Sequence, residues 1–245
     1  MSFRRSGRRS VKQRSPREEP RPSRTAPSSG TITKIAAQEH NPNRVSVFLD
    51  GEFAFGIGLD AAASQQLDVG QELPSERVKE IKIADEIGRA TESALGLLAA
   101  RPRSVREIRD RLRRKGYEPA TIDRAIEKLE GWNYVDDTEF ARYWVENRSA
   151  HKPRGHRLLE QELRQKGVDR ELVKKVISAA EIDEAAAALD LARAKFPSYK
   201  NEDPQVARRK LIGFLQRRGF DYDVIKPALD QLFGEIDDEL EPDLM

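Results

Sequence analysis

Arg106, Arg109 and Arg113 stand three and four residues apart, so on a helix their guanidinium groups share one face. Arg103, Arg114 and Lys115 extend this cluster. A second cluster holds Lys152, Arg154, Arg157, Arg164 and Lys166, and a third holds Arg208, Arg209, Arg217 and Arg218. Guanidinium and ammonium groups offer only hydrogen-bond donors and pair with carboxylates and phosphates. The chemistry these residues suit is recognition of a polyanion or of an acidic protein surface. A solvated helix face also carries charge, but it ordinarily mixes signs to gain favourable i,i+4 pairs. Stacking like charges costs helix stability and points to a binding role.

Other chemistries lack their residues. The chain has no cysteine, which excludes disulfides, thiolate catalysis and zinc–thiolate sites. Of three histidines, His40, His151 and His156, the last two are five residues apart, not the i,i+4 pair that suits a helical metal site. No glycine loop of the phosphate-cradling kind and no G-x-S-x-G elbow occurs. Asp136-Asp137 fits helix capping better than catalysis, with Asp137 expected as the N-cap of the helix that follows. We therefore expect no enzyme and no cofactor.

The elements that must position the arginines repeat. Ser104 precedes Val105, Ile108 and Leu112 at helical spacing, with Glu107 completing a capping-box pattern. Gly116 supplies a left-handed residue past the helix end, and Pro119 begins a second helix bearing Ile122, Ile126 and Leu129. Aligning on Gly116, Gly167 and Gly219 places Ile108, Leu159 and Leu211 eight residues before, Leu112, Leu163 and Leu215 four before, and Ile126, Ile177 and Leu229 ten after. Lys115, Lys166 and Arg218 immediately precede the glycines. A copy that cannot bury both faces alone should stack on its neighbours.

Charge follows the repeat. The second helices, within residues 101–115, 152–166 and 204–218, carry +6, +3 and +5. The third helices, within 117–131, 169–181 and 221–235, carry −2, 0 and −3. Stacked equivalents would form a continuous basic stripe of three helices, each roughly 20 Å long at 1.5 Å per residue.

The 245-residue chain is 35% charged and 7% aromatic, as suits solvated helices. Its net charge of +2 conceals +7 over residues 1–30 and −6 over 235–245. No run of 18 apolar residues exists, so no membrane span is expected, and a cytoplasmic monomer is the default. The expected order is a disordered basic arm over 1–30, which is either phosphate-seeking or merely solubilising, then a small β-rich module over 31–72. A linking helix and repeat 1 follow over 73–136, repeat 2 over 137–181, repeat 3 over 182–234 with Gly234 past the last helix, and an acidic tail over 235–245. In the β module, Asp50-Gly51 signals a hairpin. A two-residue loop would set Val47 opposite Ala54; a three-residue loop, which we favour, sets Leu49 opposite Phe53, Val47 opposite Phe55 and Val45 opposite Ile57, gathering six apolar side chains on one face. Thr31 to Ala37 and Leu59 to Gln66 are candidates to cover it. Leu73-Pro74-Ser75 opens the linking helix, which should end at Arg101-Pro102. Trp132, Tyr134 and Phe140 are expected to cluster around Asp136-Asp137. The fold class is thus mainly α: a tandem array of three three-helix repeats after a β-hairpin module and an arm.

These repeats resemble the RecX family of RecA-regulating proteins. The likeness rests on Ser104-Val105-Arg106-Glu107-Ile108 through Lys115-Gly116, and on Tyr134-Val135-Asp136-Asp137 with Phe140-Ala141. It rests also on Lys152-Pro153-Arg154-Gly155 through Glu162-Leu163 and Lys166-Gly167-Val168. It covers residues 84–233, and Leu49 to Phe55 resembles the strand module of longer members. The resemblance implies no enzymatic activity, binding to RecA filaments on single-stranded DNA, and modulation, usually restraint, of recombination and coprotease activity. The arm and tail are not part of the pattern. The other reading of the basic helices is a direct, sequence-nonspecific DNA binder with helix-turn-helix-like repeats. Against it, the third helices are neutral or acidic and ill-suited to enter a major groove.

Overall fold

The computed structural model describes residues 26–240, with side chains through 236. The expected arm lies outside these residues except for 26–30, as does the tail beyond 240. Two compact units divide between Lys79 and Glu80.

The first unit is a four-stranded sheet in the order β3-β2-β1-β4, formed by β1 (Gly30–Gln38), β2 (Asn41–Leu49), β3 (Glu52–Gly58) and β4 (Glu72–Leu73). β1 pairs antiparallel with both β2 and β4, so Leu73 belongs to the sheet and the linking helix starts two residues later. The hairpin combines both registers considered above. Leu49 faces Glu52 across a two-residue loop, while Val47 faces Phe55 and Val45 faces Ile57. A bulge between Val47 and Phe48 makes up the difference. Asp50 and Gly51 both have positive φ, 48° and 85°, the requirement of a turn whose twist matches the strands. The bulge buries Ala54 beside Phe55 and turns Phe53 out to 51% exposure against Phe48. Phe53 is therefore not on the apolar face. Leu59 to Gln66 forms a short helix, α1 (Leu59–Ser64), against β2 and β3.

The unit boundary falls inside α2 (Ser75–Ala100), whose later turns begin the helical unit. Three helix triplets follow. Repeat 1 combines the end of α2 with α3 (Val105–Arg114) and α4 (Pro119–Gly131); repeat 2 is α5 (Asp137–His151), α6 (His156–Gln165) and α7 (Arg170–Ala179). Repeat 3 is α8 (Glu184–Lys195), α9 (Pro204–Arg217) and α10 (Tyr222–Leu240), with a 3-10 turn at Phe196–Ser198. Gly116, Gly167 and Gly219 all sit at φ between 86° and 89°, where a side chain would be strained. α10 runs through Gly234 to Leu240, so residues 235–240 are helix rather than tail; a helix tolerates a lone glycine at a cost of about 1 kcal/mol. Glu235 is tied back to Arg193 at 2.5 Å.

Each repeat encloses its own apolar cluster, centred on Ile108, Leu112 and Leu129, on Leu159, Leu163 and Val173, and on Leu211, Leu215 and Leu229. Leu112, Leu163 and Leu215 are each 0% exposed. The expectation that a repeat needs its neighbours to bury its apolar faces is corrected in part: three helices close a small core of their own, and the repeats are joined by hydrogen bonds and ion pairs together with local packing of Arg106 on Gly167, Leu158 on Gly219 and Ile182 on the core of repeat 2.

Candidate functional site

The joints between repeats set the geometry of the basic helices. At the first, the Ser104 side chain caps α3 by accepting from Glu107 N at 3.2 Å and donates to the Lys166 carbonyl at 2.6 Å. At the second, the corresponding N-cap is Gly155, whose amide donates to the Arg218 carbonyl at 2.9 Å. The first residue of the next repeat caps from the other side: Asp137 Oδ1 accepts from Val105 N at 2.9 Å and Glu184 Oε1 from His156 N at 2.8 Å. The C-terminal turn of α6 thus abuts the N-terminus of α3, and that of α9 abuts the N-terminus of α6. Partial negative charge at one helix end meets partial positive charge at the next. The second helices follow one another end to end.

Asp137 is therefore a cap across repeats. The N-cap of α5 is Asp136, which accepts from Thr138 N at 2.6 Å. Burial raises the Asp137 carboxyl above the ordinary aspartate range, against the Val105 hydrogen bond, and the Asp136 charge adds to the rise. The expected capping box is likewise only half formed. Glu107 turns away from Ser104 N to bridge Arg101 at 3.0 Å and Lys166 at 2.6 Å. Burial would push its carboxyl up, but hydrogen bonds and charge from Arg101 and Lys166 outweigh this and hold it down to about 2.

This geometry sorts the candidate binding residues. Lys166 is spent at the first joint, pairing with Glu107 and lying over the Trp144 ring at 4.8 Å. Arg103 donates to the Leu97 carbonyl, and burial lowers its guanidinium below the ordinary value. Arg109 pairs with Asp123 and Arg208 with Asp230, each joining a second helix to a third. The acidic third helices thus neutralise part of the charge that the second helices carry. Arg154 pairs with Glu162 at 2.6 Å, Arg113 reaches Asp110, Arg157 lies 3.9 Å from Asp221, Lys115 donates to Ser93 Oγ, and Arg218 stacks on Phe214. Among the described residues, Arg106, Arg114, Lys152, Arg164, Arg209 and Arg217 are exposed and show no carboxylate partner. Arg106 lays its aliphatic stem across Gly167, where an added Cβ would come within 2.2 Å.

The aromatic cluster expected near Asp136 divides. Phe140 is buried beside Trp144, with centroids 5.9 Å apart. Trp132 and Tyr134 form an edge-to-face pair at 54% and 60% exposure. Sequence reasoning also missed the joints themselves. Ser104, Gly167 and Gly219 read as a local cap and local turns, and no local signal distinguishes the packed Gly167 and Gly219 from Gly116, which has nothing within 4 Å of a Cβ. No group of His, Cys, Asp and Glu among the described residues is placed to hold a metal, and no described helix is long and apolar enough to cross a membrane.

Comparison with known proteins matches the sheet and the three helix triplets as four successive domains. Residues 30–74 match the regulatory protein RecX N-terminal domain. Residues 90–129, 136–177 and 181–229 match the first, second and third three-helix domains of RecX. The chain is 34% identical over 211 residues to the regulatory protein RecX of Bacillus licheniformis, covering 86% of this chain and 80% of that one. It is 32% identical to that of Bacillus subtilis, covering 87% and 81%. A crystal structure of a regulatory protein RecX superposes with a TM-score of 0.70 at 25% identity over 82% of this chain and 98% of the other. RecX from Lactobacillus salivarius, at 23% identity over 61% of this chain and 97% of its own, shares the fold with a TM-score of 0.56. With one sheet domain and three three-helix domains matched in order, the chain belongs to the RecX family of regulatory proteins.

Proposed function

We propose that this protein is a non-enzymatic regulator that lies along a RecA filament on single-stranded DNA and restrains recombinase and coprotease activity during DNA repair. One observation carries the reading: the second helices abut end to end and keep exposed cations without carboxylate partners in every repeat, namely Arg106 and Arg114, Arg164, and Arg209 and Arg217. A groove that holds both acidic protein surface and DNA phosphates would attract such a row of cations along its length, and three linked contacts on one array compound. The second reading, a sequence-nonspecific DNA binder acting without RecA, draws on the same cations but leaves the third helices idle.

The test is RecA strand exchange with Arg114→Glu, Arg164→Glu and Arg209→Glu combined. These three sit one per second helix, and although Arg164 lies in the last turn of α6 beside the first joint, none of the three side chains makes a hydrogen bond or ion pair of the joints, so helical content should survive. Restraint should be abolished, while Arg124→Glu with Lys128→Glu on α4 should do much less. Equal loss from both sets would show that bulk charge matters and this face does not. Binding compared on bare single strand, bare duplex and RecA-coated strand separates the two readings.

A further inference from the structure

The repeats serve as internal controls for one another, and the second joint lacks a group that the first possesses. Three residues before the N-cap stands Arg101 at the first joint and Lys152 at the second. Immediately before the packed glycine stand Lys166 and Arg218, and one residue earlier stand Gln165 and Arg217. Three residues after the N-cap stands Glu107 at the first joint and Leu158 at the second. At the first joint the Glu107 carboxylate lies 3.0 Å from Arg101 and 2.6 Å from Lys166, so two cations share one anion. At the second joint the cations are three, and Lys152, Arg217 and Arg218 have no carboxylate partner among the described residues. Arg154, nearby, is already occupied by Glu162. The space is open: a cleft of about 570 Å³ is lined by these three cations together with His151, Pro153, Arg154, Leu158 and Leu191.

We propose that this cleft is a binding site for the backbone phosphates of single-stranded nucleic acid, with the phosphate oxygens taking the place that Glu107 holds at the first joint. Three cations exceed what one carboxylate needs, and adjacent guanidinium groups match phosphate oxygens in bidentate geometry. Pro153, Leu158 and Leu191 give an apolar wall for the sugar. Arg164 and Arg209, exposed and without a carboxylate partner among the described residues, lie about two helical turns away along α6 and α9 and add positive charge beyond the cleft. A regularly charged strand would use that extension, and a single acidic side chain would not.

The proposal rests on the reading above only in supposing that the partner includes a DNA strand. Its test uses the full chain and a fluorescently labelled oligothymidylate without RecA, with anisotropy followed across a salt series. Lys152→Gln with Arg217→Gln should weaken binding about tenfold at moderate salt and lower the log–log salt slope by about 1.4, at about 0.7 per phosphate contact on single strands. Leu158→Glu, which restores the carboxylate seen at the first joint, should weaken binding to a similar extent without lowering the melting temperature. Unchanged slopes in both variants would overturn the proposal. So would a labelled polyglutamate peptide that binds more tightly than the oligonucleotide and loses affinity in the same variants, since the occupant would then be an acidic protein segment. A chain that binds bare strand through this cleft yet leaves RecA unaffected would uphold this inference and sink the regulatory reading. A wild-type chain that restrains RecA but shows no salt-dependent binding to bare strand would do the reverse.

Discussion

The two joints carry out one task with different chemistry. In both, the N-terminus of a second helix rests on the glycine turn of the next repeat and is capped by the first residue of that repeat. The first is held by side chains: the Ser104 hydroxyl, and Glu107 between Arg101 and Lys166. The second is held by backbone in direct contact, where a Cβ on Gly155 would come within 2.2 Å of the Gly219 carbonyl oxygen. With glycine in the place of serine, the two backbones meet directly. With Leu158 in the place of Glu107, the neighbouring cations Lys152, Arg217 and Arg218 have no carboxylate partner among the described residues. The first joint, by contrast, ties Arg101 and Lys166 to Glu107 and leaves Arg106 exposed.

The largest expected effect lies outside the joints and sets the scale for them. Leu112→Ala, Leu163→Ala or Leu215→Ala, each emptying a fully buried site, should cost about 2–5 kcal/mol. Because each repeat has its own core, hydrogen exchange should accelerate first in the repeat that carries the change. Uniform acceleration through the array would show that the joints transmit stability as strongly as the cores do.

Gly155→Ala should come next, at about 1–3 kcal/mol, because the obstructing atoms are backbone and cannot swing aside. Gly116→Ala relieves no such contact and meets only the positive-φ strain, so chemical denaturation should rank it below Gly155→Ala. The opposite ranking would mean that the second joint yields easily.

Glu107→Gln should cost about 1–2 kcal/mol near neutral pH, since it leaves Arg101 and Lys166 facing a neutral group. The sign of the pH dependence follows from a carboxyl held down to about 2 when folded. The stabilisation is present above the unfolded value of about 4.3 and is lost as pH falls from there toward 2. Stability curves for the wild type and Glu107→Gln should therefore converge across that window. Parallel curves would show that Glu107 acts through something other than its charge.

Ser104→Ala is the smallest, at about 1 kcal/mol, and should open only the first joint. Its effect should add to that of Gly155→Ala, because the two joints share no residue.

How much of this was legible in advance depends on the range of the interaction. The helices and their caps at Ser104, Asp169 and Asp203, the left-handed glycines and the buried leucines follow from local steric rules and 3.6-residue periodicity. The Asp50-Gly51 hairpin was legible as a turn, but its register was not, because a bulge at Val47 is a choice made by the whole sheet. Asp137 reads as an N-cap until the chain is folded, and then it caps a helix from the preceding repeat.

The candidate site divides along the same line. That three helices are basic is a property of the sequence alone, since charge is fixed by residue type. Which of their cations remain for a partner is decided only in three dimensions. Lys166 and Arg109 look no different in sequence from Arg164 and Arg209, yet the first two are paired with Glu107 and Asp123, residues 59 and 14 positions away. A counterion is selected by distance in space, and no local pattern along the chain encodes it.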